Sequence, residues 1–182
     1  MENKKAFLKG ETVYLRPILK DDLNDHYRDW FNDDEVCRFN SHRRFPNYNE
    51  DMKQYYKDVI KSHSNLILAI IDKETDRHIG NISLQNIDNI SMTAEFAILI
   101  GDKEFWGKGA GKAAGRLIIE HGFDELNLHR IYCGTSIDNV GMQKLAEYLG
   151  FKKEGVSRQA MFKDRAFRDV VHYGLLRDEY EK

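Results

Sequence analysis

Residues 104–115 read EFWGKGAGKAAG, with glycines at 107, 109, 111 and 115 around two lysines and behind a Phe-Trp pair. Such a stretch suits a phosphate group, and the kind of phosphate ligand decides the fold. The P-loop pattern G-x-x-x-x-G-K-[ST] fails twice: Trp106 stands five before Gly111, and Lys112 is followed by Ala113 rather than a hydroxyl residue. The dinucleotide pattern G-x-G-x-x-G/A is met by Gly109, Gly111 and Ala114, behind the apolar run FAILI. A doubly wound fold, however, places that pattern early and follows it with several strand and helix alternations. Here it comes after residue 100, and the remaining chain holds one crossover, one further helix and a hairpin. The third option is a pyrophosphate seated on the N-terminus of a helix that is reached from a bent strand.

The chain on either side supports that option. Thr12 to Ile18 (TVYLRPI) alternates as a half-buried strand does, and Pro17 marks its end. The period then becomes helical over 21–31 and again over 49–61, with the loop NDDEVCRFNSHRRFPNYN between. Strands are predicted over 66–71, 79–87 and 92–100, joined by DKETDRH and DNIS, which makes an antiparallel meander. A helix over 109–126 and a strand over 130–137 complete a strand, helix, strand unit. An amphipathic helix over 139–149, stopped by Gly150, precedes a final hairpin made of FKKEGVSRQAMF and RDVVHYGLL.

Bulk properties narrow the class. With 182 residues, 41% of them hydrophobic, the chain suits one domain spanning 1–182. A net charge of −2, with both signs mixed throughout, gives no basic stripe for nucleic acid. Cys37 and Cys133, far apart, read as reduced structural thiols. The longest aliphatic run, LILAII at 66–71, is far short of a membrane span, and MENKKAFLKG lacks the apolar core of a secretory signal. A cytoplasmic protein is expected. The seven histidines show no metal-ligand spacing, so no metal is predicted, and His121 reads as a packed residue.

The element order, together with FWGKGAG and DNVGMQKLAEYLGF, resembles the GNAT superfamily of N-acetyltransferases. The first segment is similar to the family's acetyl-CoA loop R/Q-x-x-G-x-G/A, with Gly109 and Gly111 at the small positions and Trp106 in place of Arg or Gln. The aromatic pair before W-G-x-G looks like the branch of ribosomal-protein N-terminal acetyltransferases. The second is similar to N-x-x-[S/A]-x-x-x-Y-x-x-x-G-F, matching Asn139, Gly150 and Phe151. The resemblance implies an α+β GNAT (acyl-CoA N-acyltransferase) fold, with a mixed, mostly antiparallel central sheet flanked by helices. It implies acetyl-CoA as cosubstrate and leaves room for a homodimer.

Acetyl-CoA contacts are expected from Trp106, Gly107, Lys108, Gly109, Ala110, Gly111 and Lys112, mostly through free amides at the helix start. Asn139 is expected beside them, with backbone groups of Ile98, Leu99 and Ile100 pairing the pantetheine arm and seating the oxyanion. An attacking amine has a pKa of about 8 to 10 and must lose a proton. Glu95, inside an otherwise apolar strand, is the expected acceptor; the competing reading is a Glu paired with a surface Arg. Alternation puts Ala94, Phe96, Ile98 and Ile100 on one face and Glu95, Ala97 and Leu99 on the other. The family's Tyr position holds Ala146 and its small hydroxyl position Met142, so the proton donor is unassigned, with Tyr148, Ser136 and Cys133 as alternatives.

The acceptor side is expected to hold Trp30, Phe31, Phe39, His42, Arg43, Arg44, Phe45 and Tyr48. A protein N-terminus, a polyamine and an amino sugar all remain open as acceptors. NDDE at 32–35 offers an acidic wall for a polyamine. A non-catalytic acyl-CoA-binding module on the same fold is the rival function.

Overall fold

The computed structural model describes residues 5–180, so the first residues of MENKKAFLKG lie in part outside them. Eight strands form one sheet: β1 (Leu8–Lys9), β2 (Val13–Pro17), β3 (Leu66–Asp72), β4 (His78–Asp88), β5 (Thr93–Ile100), β6 (Arg130–Ser136), β7 (Lys152–Lys163) and β8 (Ala166–Leu176). Their order is β1-β2-β3-β4-β5-β6-β8-β7. Every neighbouring pair is antiparallel except β5 with β6. The helices are α1 (Asp25–Asn32), α2 (Asn49–Val59), α3 (Ala110–Asp124) and α4 (Val140–Tyr148). The meander, crossover and hairpin read from periodicity are all present; the two-residue β1 carries too short a pattern to be read.

One predicted boundary moves for a local reason. Helicity expected from residue 21 begins at Asp25, after a 3-10 turn over Lys20–Asp22. Asn24 caps α1, its side-chain oxygen accepting from the Tyr27 amide at 3.0 Å. Asp22, which looked like part of an acidic first turn of the helix, instead ends that 3-10 turn and gives its carboxylate to Arg16 of β2.

The two faces of the sheet bury different clusters. β5 pairs β4 without irregularity from Glu95↔Gln85 to Ile100↔Gly80, so its side chains keep strict alternation. Ala94 and Phe96 lie in the main core with Ala114, Ile118 and Ile119 of α3, and Ile98 and Ile100 pack against it. Leu99 faces the other way and packs on Tyr27, Trp30 and Phe31 of α1. Trp30 and Phe31 are thus core residues, not acceptor contacts. His121, half-buried on α3, meets the edge of Phe7 at 5.1 Å.

A buried ionic network fixes the start of α1 to this second face. Arg16 and Asp22, 4% and 8% exposed, make a bidentate pair at 2.6 and 2.8 Å, and the Leu19 amide adds 2.7 Å to the same carboxylate. His78 Nδ1 stands 3.7 Å from Asp22, and its ring stacks on Tyr27, whose hydroxyl accepts from Asn81 Nδ2 at 2.9 Å. Burial raises the Asp22 carboxyl, but Arg16 and the Leu19 amide overcome this and hold it below the usual range. Burial pushes the His78 imidazole below its ordinary 6.5, against the pull of Asp22.

Because the unfolded chain binds a proton at His78 more readily than the native chain, this stability is complete above about pH 6.5 and is lost as pH falls below it. His121, lowered by burial, adds in the same sense. The melting temperature at pH 5.5 is expected to fall on the order of a few degrees below that at pH 7.5, and His78→Gln to flatten the slope. A melting temperature indifferent to pH across that window would mean that neither imidazole is held neutral by the fold.

Candidate active site

The glycine loop becomes an anion seat through its backbone. Gly107 and Gly109 have φ of 71° and 88°, in the left-handed region that disfavours side chains. Gly109 is the N-cap of the 15-residue α3. A Cβ built at either glycine meets no heavy atom within 4 Å, so both face open space. The first helical bond is Ala113 N–H to Gly109 O, and the amides of Gly107, Gly109, Ala110, Gly111 and Lys112 find no acceptor among the described residues. Free amides reinforced by a helix dipole are what a pyrophosphate needs. Ala110 is 6% exposed, so its methyl belongs to the core and only its N–H can serve a ligand. Gly111 lies under Ile98 and Leu145, where a Cβ would sit 3.7 and 3.6 Å from their methyl groups.

Trp106, where the resembled pattern has Arg or Gln, holds the loop in place. Its indole N–H donates to the Ile100 carbonyl at 2.8 Å and clamps the loop to the end of β5. Lys108 leans over Phe105, and Lys112 and Arg116 lie over the Tyr148 ring at 4.1 and 4.9 Å. Arg116 and Tyr148 were not foreseen as part of this basic patch, although Arg116 is one turn beyond Lys112. Tyr148 consequently belongs to the loop side of α4, away from any role as proton donor.

The sheet opens beside this seat. β5 and β6 are paired only at Thr93↔Arg130, Ala94↔Ile131 and Glu95↔Tyr132. Past that point β5 continues against β4 to Ile100, and β6 against β8 to Ser136. The strands therefore diverge into a gap that points at the glycine loop. Gly101 N–H bonds Ile79 O, so in this ladder Leu99 and Ala97 also bond β4. It follows that the Phe96 C=O, both backbone groups of Ile98 and the Ile100 N–H point into the gap, the Phe96 N–H being taken by Tyr132 in the Glu95↔Tyr132 pair and the Ile100 C=O by the Trp106 indole. Leu99 is a correction: its amide is engaged by β4, and its side chain packs on α1.

Glu95 is the last paired residue before the gap, on the face opposite α3. It is half-buried, and its Oε2 accepts from Asn86 Nδ2 at 3.1 Å. No Lys or Arg pairs with it among the described residues, which removes the surface-Arg reading. The Cys133 thiol nearby is pushed up to about 12 by burial and by Glu95, which makes it inert as an acid for a thiolate. Ser136 is buried and accepts from the Asp138 amide. Ala146 is fully buried and Met142 packs against the core. Asn139 is the N-cap of α4: its Oδ1 accepts from the Met142 amide (3.1 Å) and its Nδ2 donates to Thr135 Oγ1 (3.0 Å), which orients the side chain and leaves its second Nδ2–H unused among the described residues.

The loop between α1 and α2 docks on the tip of the β7–β8 hairpin. Lys163 Nζ donates to the carbonyls of Cys37 and Asn40 at 3.0 and 3.2 Å, and Arg44 to that of Phe162 at 3.3 Å. A cleft of about 290 Å³ opens there, bordered by Arg38, Phe39, Ser136, Asp138, Lys163 and Arg168. The expected acidic wall is not a free one. Asp33 and Glu35 hold Lys103 at 2.9 and 3.2 Å, and Asp34 pairs with Arg43. Phe45 and Tyr48 are 80% and 61% exposed, outside any packed site.

Residues 12–152 match the family model described as acetyltransferase (GNAT) domain. The probable N-acetyltransferase YjcK of Bacillus subtilis is 30% identical over 181 residues, 96% of this chain and 99% of that protein. YdaF of the same organism, provisionally assigned as a ribosomal N-acetyltransferase, is 37% identical over 102 residues, 56% of this chain and 55% of its own. The crystal structure of spermidine N-acetyltransferase from Vibrio cholerae with CoA and spermine superposes with a TM-score of 0.84 at 25% identity, covering 93% of this chain and 98% of that one. A glycine seat at a helix start, a gap between two parallel strands and these matches have one reading: the chain belongs to the GNAT family of acetyltransferases, which move an acetyl group from acetyl-CoA to an amine.

Proposed function

We propose that residues 1–182 act as one N-acetyltransferase domain whose active site is the β5–β6 gap. The amides of Gly107, Gly109, Ala110, Gly111 and Lys112 hold the pyrophosphate, with Lys108, Lys112 and Arg116 adding charge. Phe96, Ile98 and Ile100 offer backbone partners to the pantetheine arm, and the Ile98 amide is the best placed to receive the oxyanion. Glu95 takes the proton of the attacking amine, directly or through water. As the amine nitrogen bonds to the carbonyl carbon, the C–S bond breaks. The thiolate, with a pKa of about 8.5, can take its proton from water, so Ala146 need not be replaced by another acid.

The observation that carries this reading is the carboxylate of Glu95 at the mouth of the gap, with no cation to neutralise it among the described residues. A binding module has no use for a half-buried, unpaired carboxylate there. The deciding measurement is thiol release from acetyl-CoA in the presence of peptides, polyamines and amino sugars. At least one class should give amine-dependent release. Binding of acetyl-CoA without release by any of them would leave the non-catalytic module standing.

A further inference from the structure

The cleft at the hairpin tip has the wrong charge for a polycation. Of the charged side chains that border it, Arg38, Lys163 and Arg168 are basic and Asp138 and Asp164 acidic. Lys163 is occupied by two loop carbonyls, and Arg168 Nε lies 3.5 Å from Asp138. Arg38 has no carboxylate partner among the described residues and rests its guanidinium 5.3 Å above the Phe39 ring. On the acidic side, the three carboxylates of the nearby run at 33–35 are engaged by two cations, Lys103 and Arg43, which leaves a single net negative charge there. A polyamine entering here would meet three basic side chains against two acidic ones, of which Asp138 is held by Arg168 and Asp164 alone lacks a cation among the described residues, and like charges in contact are strongly disfavoured.

The cleft lies on the acceptor side of the gap. Ser136, which borders it, shares its strand face with Tyr132, the partner of Glu95, and stands four residues further along β6, roughly 13 Å at about 3.3 Å per residue. An acceptor whose amine reaches the gap therefore places its more distant part against Arg38 and Arg168.

Resting on the reading of the gap as the acetyl-transfer site, we propose that the acceptor is a primary amine that carries a carboxylate or phosphate on the same molecule, bound by Arg38 and Arg168, and not a polyamine. A guanidinium presents a planar fork to either anion, and Phe39 holds that of Arg38 in place. The amine and the anion are then recognised at opposite ends of one channel, Glu95 at one and the two arginines at the other.

Thiol release tests this with matched acceptors: a peptide with glutamates at its third and fourth residues, the same peptide with glutamines, glucosamine 6-phosphate, glucosamine and spermidine. The anionic member of each pair is expected to exceed its neutral counterpart, and spermidine, by about tenfold or more in kcat/KM, mainly through KM. The pair that shows the gain tells a peptide carboxylate from a sugar phosphate. Arg38→Glu should erase that gain and leave the melting shift with acetyl-CoA unchanged, which separates a lost contact from a damaged fold. Arg38→Lys should keep part of it. Spermidine turning over as well as the anionic acceptors, or an unaltered preference in Arg38→Glu, overturns the inference while the acetyltransferase reading stands. Release from none of the five overturns both.

Discussion

Glu95→Gln is expected to lower turnover by about 100-fold or more at neutral pH while leaving acetyl-CoA affinity near its original value. Glutamine keeps the size of the side chain and can still accept from Asn86 Nδ2, so the opening of the gap at Glu95↔Tyr132 has no reason to change. What is lost is the ability to hold a proton. The sign of the pH response follows from the amine: below its pKa of about 8 to 10 it is mostly ammonium and needs an acceptor at the site, and above it bulk solvent has already taken the proton. Activity of the variant should therefore recover in part as pH is raised towards 9.5, while the parent rises less. Steady-state kinetics at pH 7 and pH 9.5 make the comparison. A raised KM for the acceptor with an unchanged maximal rate would recast Glu95 as a binder of the ammonium group, and unchanged values of both would remove it from the site.

The sequence made the backbone part of this site readable and left its side-chain partners hidden. Glycines at 107, 109 and 111 announce a place where backbone approaches a ligand, because residue type alone carries that message. The alternation around Glu95 was equally plain, since a strand with a regular register obeys a period of two. What no local pattern carries is the distant partner. Lys103 meets Asp33 and Glu35 across a long stretch of chain and turns an apparent acidic wall into a set of ion pairs. Asn139 is oriented by Thr135, which holds its Nδ2 while its Oδ1 caps α4, and no local pattern names that partner. Leu99 was grouped with its neighbours as a backbone donor, although only the sense of the β4 ladder decides which residues face the gap. The gap itself is a property of where two strands stop pairing, and the runs of β5 and β6 look like uninterrupted strands.

Gly109→Val is expected to abolish stabilisation by acetyl-CoA, and its two effects can be told apart. At φ 88° a β-branched residue strains the N-cap of α3, by about 1–3 kcal/mol, which lowers the melting temperature of the protein alone. Since nothing in the protein lies within 4 Å of the added Cβ, no clash adds to that strain. The second effect needs the ligand. The space over Gly109 is where the pyrophosphate must come to reach the free amides of Ala110, Gly111 and Lys112, and two γ-methyls would fill it. At a concentration of about 100 times Kd, acetyl-CoA stabilises the parent by about 2.7 kcal/mol, or about 5–11 °C for a domain of this size. In the valine variant the shift should be close to zero. Gly109→Ala provides the control: it carries backbone strain of the same kind with far less bulk, so it should lose stability yet keep a measurable shift. A full shift in the valine variant would place the pyrophosphate elsewhere, and a shift with NADH in the parent, with none from acetyl-CoA, would restore the dinucleotide reading of the same glycines.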